Sequence, residues 1–409
     1  AGCAGGIADM DGRQLLMSYD KVIDSTQLDG AMTATANAIR SKTGDAAQIP
    51  WDADTGFAAA VAAIPSGDPN PTAEENDVIF IDYDGTIRYS YTAEEFLALT
   101  ELPPNPTHDG LVAQGWNWTL ADAQEYVGKY GIQVIGQSYI TESGATEFDI
   151  VLENDRFVSP TITFSQTVSN GVTFDWGDGS ETETVSGTGA RSVSHPYSAL
   201  GAYTIRALCA DGGTVSFHTG NDNLFGTTQA YRNILRHVRI GKNYATELYR
   251  GTFVNSRLLE TVTIPIGVTS TGQVREAFSG CCNLRGLVFP AGSTGPNLDN
   301  AMNGCCSAVY VSLPKTCTKI GWYGMIEMRN LKKICLPENL TTSNASNGGA
   351  LNSALSLKRL SIGNGGTIIG GLSALYSLTS LTVPASFETF YQSALQSLTS
   401  LQFFRLEST

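Results

Sequence analysis

Eight short apolar strand endings recur through the C-terminal part of the chain, and no other feature limits the possible folds as strongly. They are HVRIG ending at Gly241, TVTIP at Pro265, GLVFP at Pro290, YVSLP at Pro314, KICLP at Pro337, RLSIG at Gly363, SLTVP at Pro384 and LQFF at Phe404. The intervals between them are 24, 25, 24, 23, 26, 21 and 20 residues, with a leucine before most strands. A chain with this period builds a solenoid, because one repeat cannot bury its apolar edge alone and stacked neighbours bury a continuous core. Cys281 and Cys305 fall in equivalent slots, as do Cys282 and Cys306. Stacked slots predict a ladder of small buried thiols, expected to be free rather than paired.

The units GTFVNSRLLETVTIP and EAFSGCCNLRGLVFP resemble the BspA-type leucine-rich repeat, whose consensus runs A-F-x-x-C-x-x-L-x-x-(I/V)-x-(I/L)-P. The resemblance covers residues 230–409 and eight repeats. Later repeats drift: the Cys slot is read as Leu378 or Leu398, and Pro gives way to Gly363 or Phe404. Repeat proteins bind partners on extended surfaces, so the concave face is the expected partner-binding surface. A cysteine nucleophile has little support, since His218 and His237 lie outside the Cys-rich repeats.

Upstream, residues 148–222 carry VTFDWGDGS, then H-P-Y, then G-x-Y-T-I. Asp175, Trp176, Gly177, Asp178, Gly179, Ser180, His195, Tyr197, Gly201, Tyr203 and Thr204 resemble the PKD domain, an immunoglobulin-like β-sandwich. The resemblance implies a core tryptophan, a tight Asp/Gly turn and a spacer or binding module of extracellular proteins. Asp175 and Asp178 alone fall short of the six or more oxygens that Ca²⁺ takes, so turn chemistry is the expectation.

Residues 78–147 open with VIFIDYDGTIRY, a strand followed by D-x-D-G-T. The pattern resembles the start of haloacid-dehalogenase phosphatases, which implies Asp82 as nucleophile and Asp84 as general acid. Such an enzyme also needs a phosphate-holding Lys, later metal-binding acids and a parallel sheet of well over 100 residues. Between the motif and the next domain, Lys129 is the one lysine. Local patterning reads differently: strand alternation on both sides of Asp84-Gly85 predicts a two-residue hairpin. Thr92 with Glu95 then predicts a capping box opening a short helix, and Thr119 or Asp122 a second helix through Tyr126 and Val127. Trp116 and Trp118 could stack on a sugar ring, but core packing is the expectation. The unit is thus expected to be a small α/β hairpin-containing connecting module.

Residues 1–66 are expected to form a helical attachment or oligomerisation segment, with Leu28, Met32, Thr35 and Ile39 on one helical face and Phe57, Val61 and Ile64 on another. Residues 67–77 read as a Pro- and acid-rich linker. The stretches AIRSKTGDAAQIPWDADTGFAAAVAAI (38–64) and NDVIFIDYDGTIRYSYTAEEFLALTELPPNPTHDGLVAQGWNWTLADA (76–123) are similar to segments of tail-associated proteins in phages and prophages of gut Firmicutes.

The expected fold class is therefore multidomain and mainly β: a helical N-terminal segment, a small α/β module, a PKD/immunoglobulin-like sandwich and a C-terminal leucine-rich-repeat solenoid. A net charge of −14 argues against a nucleic-acid partner, and no apolar run reaches the roughly 18 residues of a membrane span. No catalytic, cofactor-binding or metal-binding residues are expected. The expected function is a non-enzymatic phage-tail fibre or receptor-binding protein in the virion, attached to other tail or baseplate proteins by its N-terminus. It would be a homotrimer and contact a host-surface glycan or protein. The absence of a recognisable leader in the opening residues favours this reading. The alternative is an extracellular adhesin of the BspA type on a bacterial cell surface, and the less favoured one the phosphatase built on Asp82 and Asp84.

Overall fold

The periodic strand endings become rungs of a parallel stack. The computed structural model describes residues 73–218, 223–248, 251–268, 276–293, 301–320, 323–342, 351–365, 372–385 and 396–406. The expected helical segment over 1–66, and residues 67–72 of the expected linker, lie outside them. Residues 73–409 form one compact unit. Among the described residues no helix is long and apolar enough to cross a membrane.

The first module carries β1 (Val78–Ile81), β2 (Ile87–Tyr91), α1 (Ala93–Leu97), β3 (Leu111–Trp116), α2 (Leu120–Tyr130) and β4 (Gln133–Thr141). Its sheet runs β2-β1-β4-β3, with β1 parallel to β4 and antiparallel to β2. Thr92 and Glu95 form the expected capping box, and Thr119 caps α2 by accepting from Asp122 N. Gly131 ends α2 at φ 78°, the left-handed stop that glycine supplies without steric cost. The hairpin exists, but its turn is longer than a two-residue Asp-Gly loop. Asp82 and Thr86 bracket it, Gly85 N donates to Asp82 O, and only Gly85 takes positive φ. Asp84 serves instead as a side-chain acceptor for Thr86 N at 2.9 Å.

β5 (Thr146–Leu152), β6 (Thr161–Gln166), β7 (Val172–Asp175), β8 (Glu183–Val185), β9 (Gly189–Ser194), β10 (Gly201–Cys209) and β11 (Val215–Ser216) form two sheets. Phe164 of β6 and Phe174 of β7 meet between them, with ring centroids 5.2 Å apart. Trp176 is 1% exposed, stacked between Phe174 and His195. The D-W-G-D-G-S turn is held by its own aspartates: Gly177 N donates to Asp175 and Ser180 N to Asp178.

The stack begins with β12 (Leu235–Arg239), preceded by α3 (Gln229–Arg232), and continues through β13 (Thr261–Thr263), β14 (Gly286–Val288), β15 (Tyr310–Ser312), β16 (Lys319–Ile320), β17 (Lys333–Leu336), β18 (Thr341–Thr342), β19 (Arg359–Ile362), β20 (Ser380–Val383) and β21 (Phe403–Leu406). The sheet order β13-β12-β5-β10-β7-β8 joins the first two rungs to the sandwich, and β14-β15-β17-β19-β20-β21 forms the rest of the main stack. Pairing registers align Gly241 with Pro265, and Pro290, Pro314, Pro337, Gly363 and Pro384 in turn, as the intervals predict. The last repeat is a correction. Phe404 pairs with Leu381 and Leu406 with Val383, so Phe404 lies three positions short of the counterpart of Pro384.

A second regularity runs along the opposite side. Asn255, Gly280, Gly304, Glu327, Ser353, Ala374 and Ser397 all have φ between 57° and 75°. Each precedes a core slot: Ser256, Cys281, Cys305, Met328, Ala354, Leu375 and Leu398. The Cys slot therefore passes to Leu375, and Leu378 belongs to the leucine row of Leu259, Leu284, Ala308, Leu331 and Leu357, every one of them fully buried. The thiols of Cys281 and Cys305 donate to Phe253 O and Phe278 O of the preceding rungs, at 3.1 and 3.2 Å. Burial pushes both pKa values far up, as an uncharged structural thiol requires. All seven described cysteines are free.

Candidate functional site

Strand alternation gives each rung two faces. Leu287, Val311, Ile334, Leu360 and Leu381 point into the solenoid core. Val288, Tyr310 and Cys335 point the other way, into a separate core shared with Phe80, Trp116, Trp118, Tyr126 and Ile135 of the first module. The strand-lined face expected to meet a partner is thus largely occupied by the chain's own α/β module, which is a cover rather than a mere connector.

The cover is fitted closely. A Cβ on Gly136 of β4 would stand 2.5 Å from Val288 Cγ1 and 2.8 Å from Ser312 Cβ, so only glycine lets β4 lie this near the rungs. Asn117 donates to Phe289 O and Ser312 Oγ, both at 2.9 Å, and accepts from Gly136 N. Trp118 Nε1 donates to Leu313 O at 2.8 Å, and the Tyr126 hydroxyl to Leu336 O at 2.7 Å. Trp116 Nε1 reaches Pro103 O, so both tryptophans are packing residues, buried and unavailable to a sugar. Buried polar groups of this kind must be satisfied, and here the partners come from the other element.

Charges extend the fit. Glu74 pairs with Lys332, and Asp77 with Arg359 at 2.5 Å. Lys333, 1% exposed, donates to Asn76 O. Burial and then the nearby Arg359 charge lower its pKa to about 8. Residues 73–77, expected to end a linker, are therefore pinned to the solenoid. Lys315 reaches Asp122 at 2.5 Å, and Lys129 bridges Glu125 and Glu338 at 2.7 and 3.2 Å.

Coverage ends after β19. Ser312 and Ser361 are buried, whereas Ser380 is exposed and Thr382 half-buried, and every residue of β21 is exposed. Where the cover stops, a cleft of about 610 Å³ opens between the end of α2 and the last rungs. Its lining includes Tyr130, Lys358, Arg359, Ser380, Thr382 and Arg405.

The two phosphatase-like aspartates differ in setting: Asp84 is half-buried and accepts from Thr86 N within the turn. Asp82 is fully buried, and its Oδ2 meets Arg88 Nε at 2.7 Å and His108 Nε2 at 2.8 Å. Its Oδ1 accepts from Tyr83 N. The arrangement ties the hairpin to the loop before β3. Lys129 is engaged with the two glutamates named above. In the sandwich, His195 Nε2 meets Asp178 Oδ2 at 2.8 Å. Hydrogen bonds from Ser180 and His195 hold Asp178 down to about 2. His237 bonds Thr261 Oγ1 at 2.8 Å. Among the described residues no group of three or more His, Cys, Asp or Glu could hold a metal.

Sequence reasoning missed the cover and the cleft. One signal was present: Val288, Tyr310 and Cys335 sit at outward strand positions, where an open solenoid face would carry polar side chains.

A family model described as the BspA type leucine-rich repeat region matches six copies, within residues 228–295 and 246–371. These residues carry BspA-type leucine-rich repeats. A crystal structure of a leucine-rich repeat protein from Bacteroides ovatus ATCC 8483 is similar over 49% of this chain and 74% of that one, at 17% identity and a TM-score of 0.29. No curated protein matches the chain.

Proposed function

We propose that the chain is a non-enzymatic, adhesin-like binding protein of a cell surface, and that the uncovered end of its strand-lined face is the recognition surface. The change from a buried strand face through β19 to an open one at β20 and β21 carries this reading. The BspA-type repeats support it, since repeat solenoids bind through extended surfaces. The sandwich over residues 146–217 fits a PKD-like spacer, with the buried Trp176 and the Asp-Gly turn supporting that assignment. The buried Asp82 favours a structural over a catalytic role.

The test is attachment of the labelled full chain to bacterial and epithelial cell surfaces. Ser380→Trp, which fills the open face with an exposed side chain, is expected to abolish attachment with an unchanged melting temperature. Attachment that persists in this variant would remove the recognition surface from the uncovered rungs.

A second reading is favoured by the similarity of residues 38–64 and 76–123 to phage tail-associated proteins. In it the chain is a homotrimeric virion component held by residues 1–66 to other tail or baseplate proteins, with a host-surface glycan or protein as its partner. Light scattering on the purified chain and mass spectrometry of particles from an induced lysogen separate the two readings. A monomer absent from particles excludes the second.

A further inference from the structure

We infer that the open cleft takes an acidic oligosaccharide, a chain of hydroxylated rings bearing carboxylates. The inference rests on the binding reading above and adds the ligand's chemistry. Charge is the first reason. The whole chain has 39 acidic and 25 basic residues. The cleft lining reverses that balance, with Lys129, Lys358, Arg359 and Arg405 against the single acid Asp77. Asp77 is already neutralised by Arg359. Lys129 is held by Glu125 and Glu338. Lys358 and Arg405 make no ion pair among the described residues, so the cleft presents two uncommitted cations. A guanidinium offers a carboxylate two parallel donors, and an ammonium offers a compact charge.

The second reason is the spacing of the remaining groups. Arg359, Ser380 and Phe403 occupy one outward row, and Ser361, Thr382 and Arg405 the next, by the pairing of β19, β20 and β21. Successive rungs lie about 4.8 Å apart. A ligand lying obliquely across the rungs therefore meets Arg359 at the inner end of the first row and Arg405 at the outer end of the second, with the hydroxyls of Ser380 and Thr382 between them, which suits a polymer with separated carboxylates and hydroxyls. Phe403 is 68% exposed and offers a flat apolar surface to a sugar ring at the outer end of its row. A nucleic acid presents a denser line of charge than this short basic stretch can match, and the rest of the chain repels it.

The experiment is calorimetric titration of the full chain with tetragalacturonic acid and with its methyl ester, at about 50 mM salt so that exposed charges are weakly screened. The acid is expected to bind at least tenfold more tightly than the ester. Arg405→Ala and Lys358→Ala are each expected to weaken the acid about fivefold and to leave the ester unchanged. Both residues are exposed, and unchanged melting temperatures confirm folding. Equal binding of acid and ester overturns the inference. So does acid binding that is unaffected in the double variant, or binding of dextran sulfate without any binding of tetragalacturonic acid. The Ser380→Trp attachment assay separates the two levels. If that variant loses cell attachment while tetragalacturonic acid fails to bind, the ligand class falls and the binding surface stands. If attachment is unchanged, the surface itself is wrong.

Discussion

Gly85 and Gly286 touch backbone to backbone. A Cβ on Gly286 would stand 2.5 Å from both Gly85 N and Gly85 Cα, and one on Gly85 would stand 2.9 Å from Arg285 O. The tip of the first hairpin is thereby seated on the β14 rung. Gly286→Val drives a side chain into rigid backbone, which has no far end to swing away. The expected cost is about 1–3 kcal/mol, as for other overpacked sites. It should appear as a lower urea midpoint and as faster proteolysis in the hairpin. An unchanged midpoint would mean that the tip does not dock in solution.

Lys333 gives the cover a pH signature. Its folded pKa, about 8, lies below its ordinary 10.5 because the side chain is buried. Below pH 8 the lysine is charged in both states, and the cost of burying that charge is fully present. Between pH 8 and 10.5 the unfolded chain keeps a proton that the folded chain has lost, so stability rises with pH. The full gain is at most about 3 kcal/mol at 1.36 kcal/mol per pKa unit. Lys333→Met should remove it, so the stability difference between variant and wild type shrinks across this window. A difference that stays constant from pH 7 to 10.5 would contradict the buried lysine.

The left-handed position of each repeat is a site for stabilisation. Ala374 holds φ 57° where two other repeats use Gly280 and Gly304. A side chain there costs roughly 1–2 kcal/mol, part of which glycine returns in backbone entropy. Ala374→Gly is expected to raise stability by about 0.5–1 kcal/mol, and Gly304→Ala to lower it by a similar amount. Matched urea denaturation curves read both.

Asp82→Asn tests the buried carboxylate. Arg88 and His108 would lose their charged partner, with an expected loss of about 1.5–3 kcal/mol. Phosphatase assays with p-nitrophenyl phosphate should give no turnover in either wild type or variant. Turnover that disappears in the variant would restore the catalytic role of Asp82.

The stack was legible because its cause is local and repeated. A proline or glycine closes most rungs, a leucine precedes them, and the sequence intervals between Gly241 and Pro384 survive as pairing registers. The reading slipped at Phe404, where no proline marks the strand end and Phe403 and Phe404 are equally apolar. It also slipped at Leu378, because leucine fills both the slot and the row beside it. The hairpin was visible in Asp84-Gly85, but its turn class depends on the bulge that sets Ile81 opposite Ile87. The cover lay beyond periodicity altogether. Asn117 meets Phe289 O from 172 positions away, and nothing in the spacing of either segment announces the other.

The placement of β5 bears on the order in which the molecule can assemble. β5 is paired with β10 on one side and β12 on the other. It leaves the ribosome some 80 residues before β12, so it is available as a finished edge when the first rung emerges. Vectorial synthesis would then add rungs one at a time onto a template already in place. A chain made without residues 146–217 would have to nucleate its stack unaided, with the hydrogen-bonding edge of β12 open to the wrong neighbours.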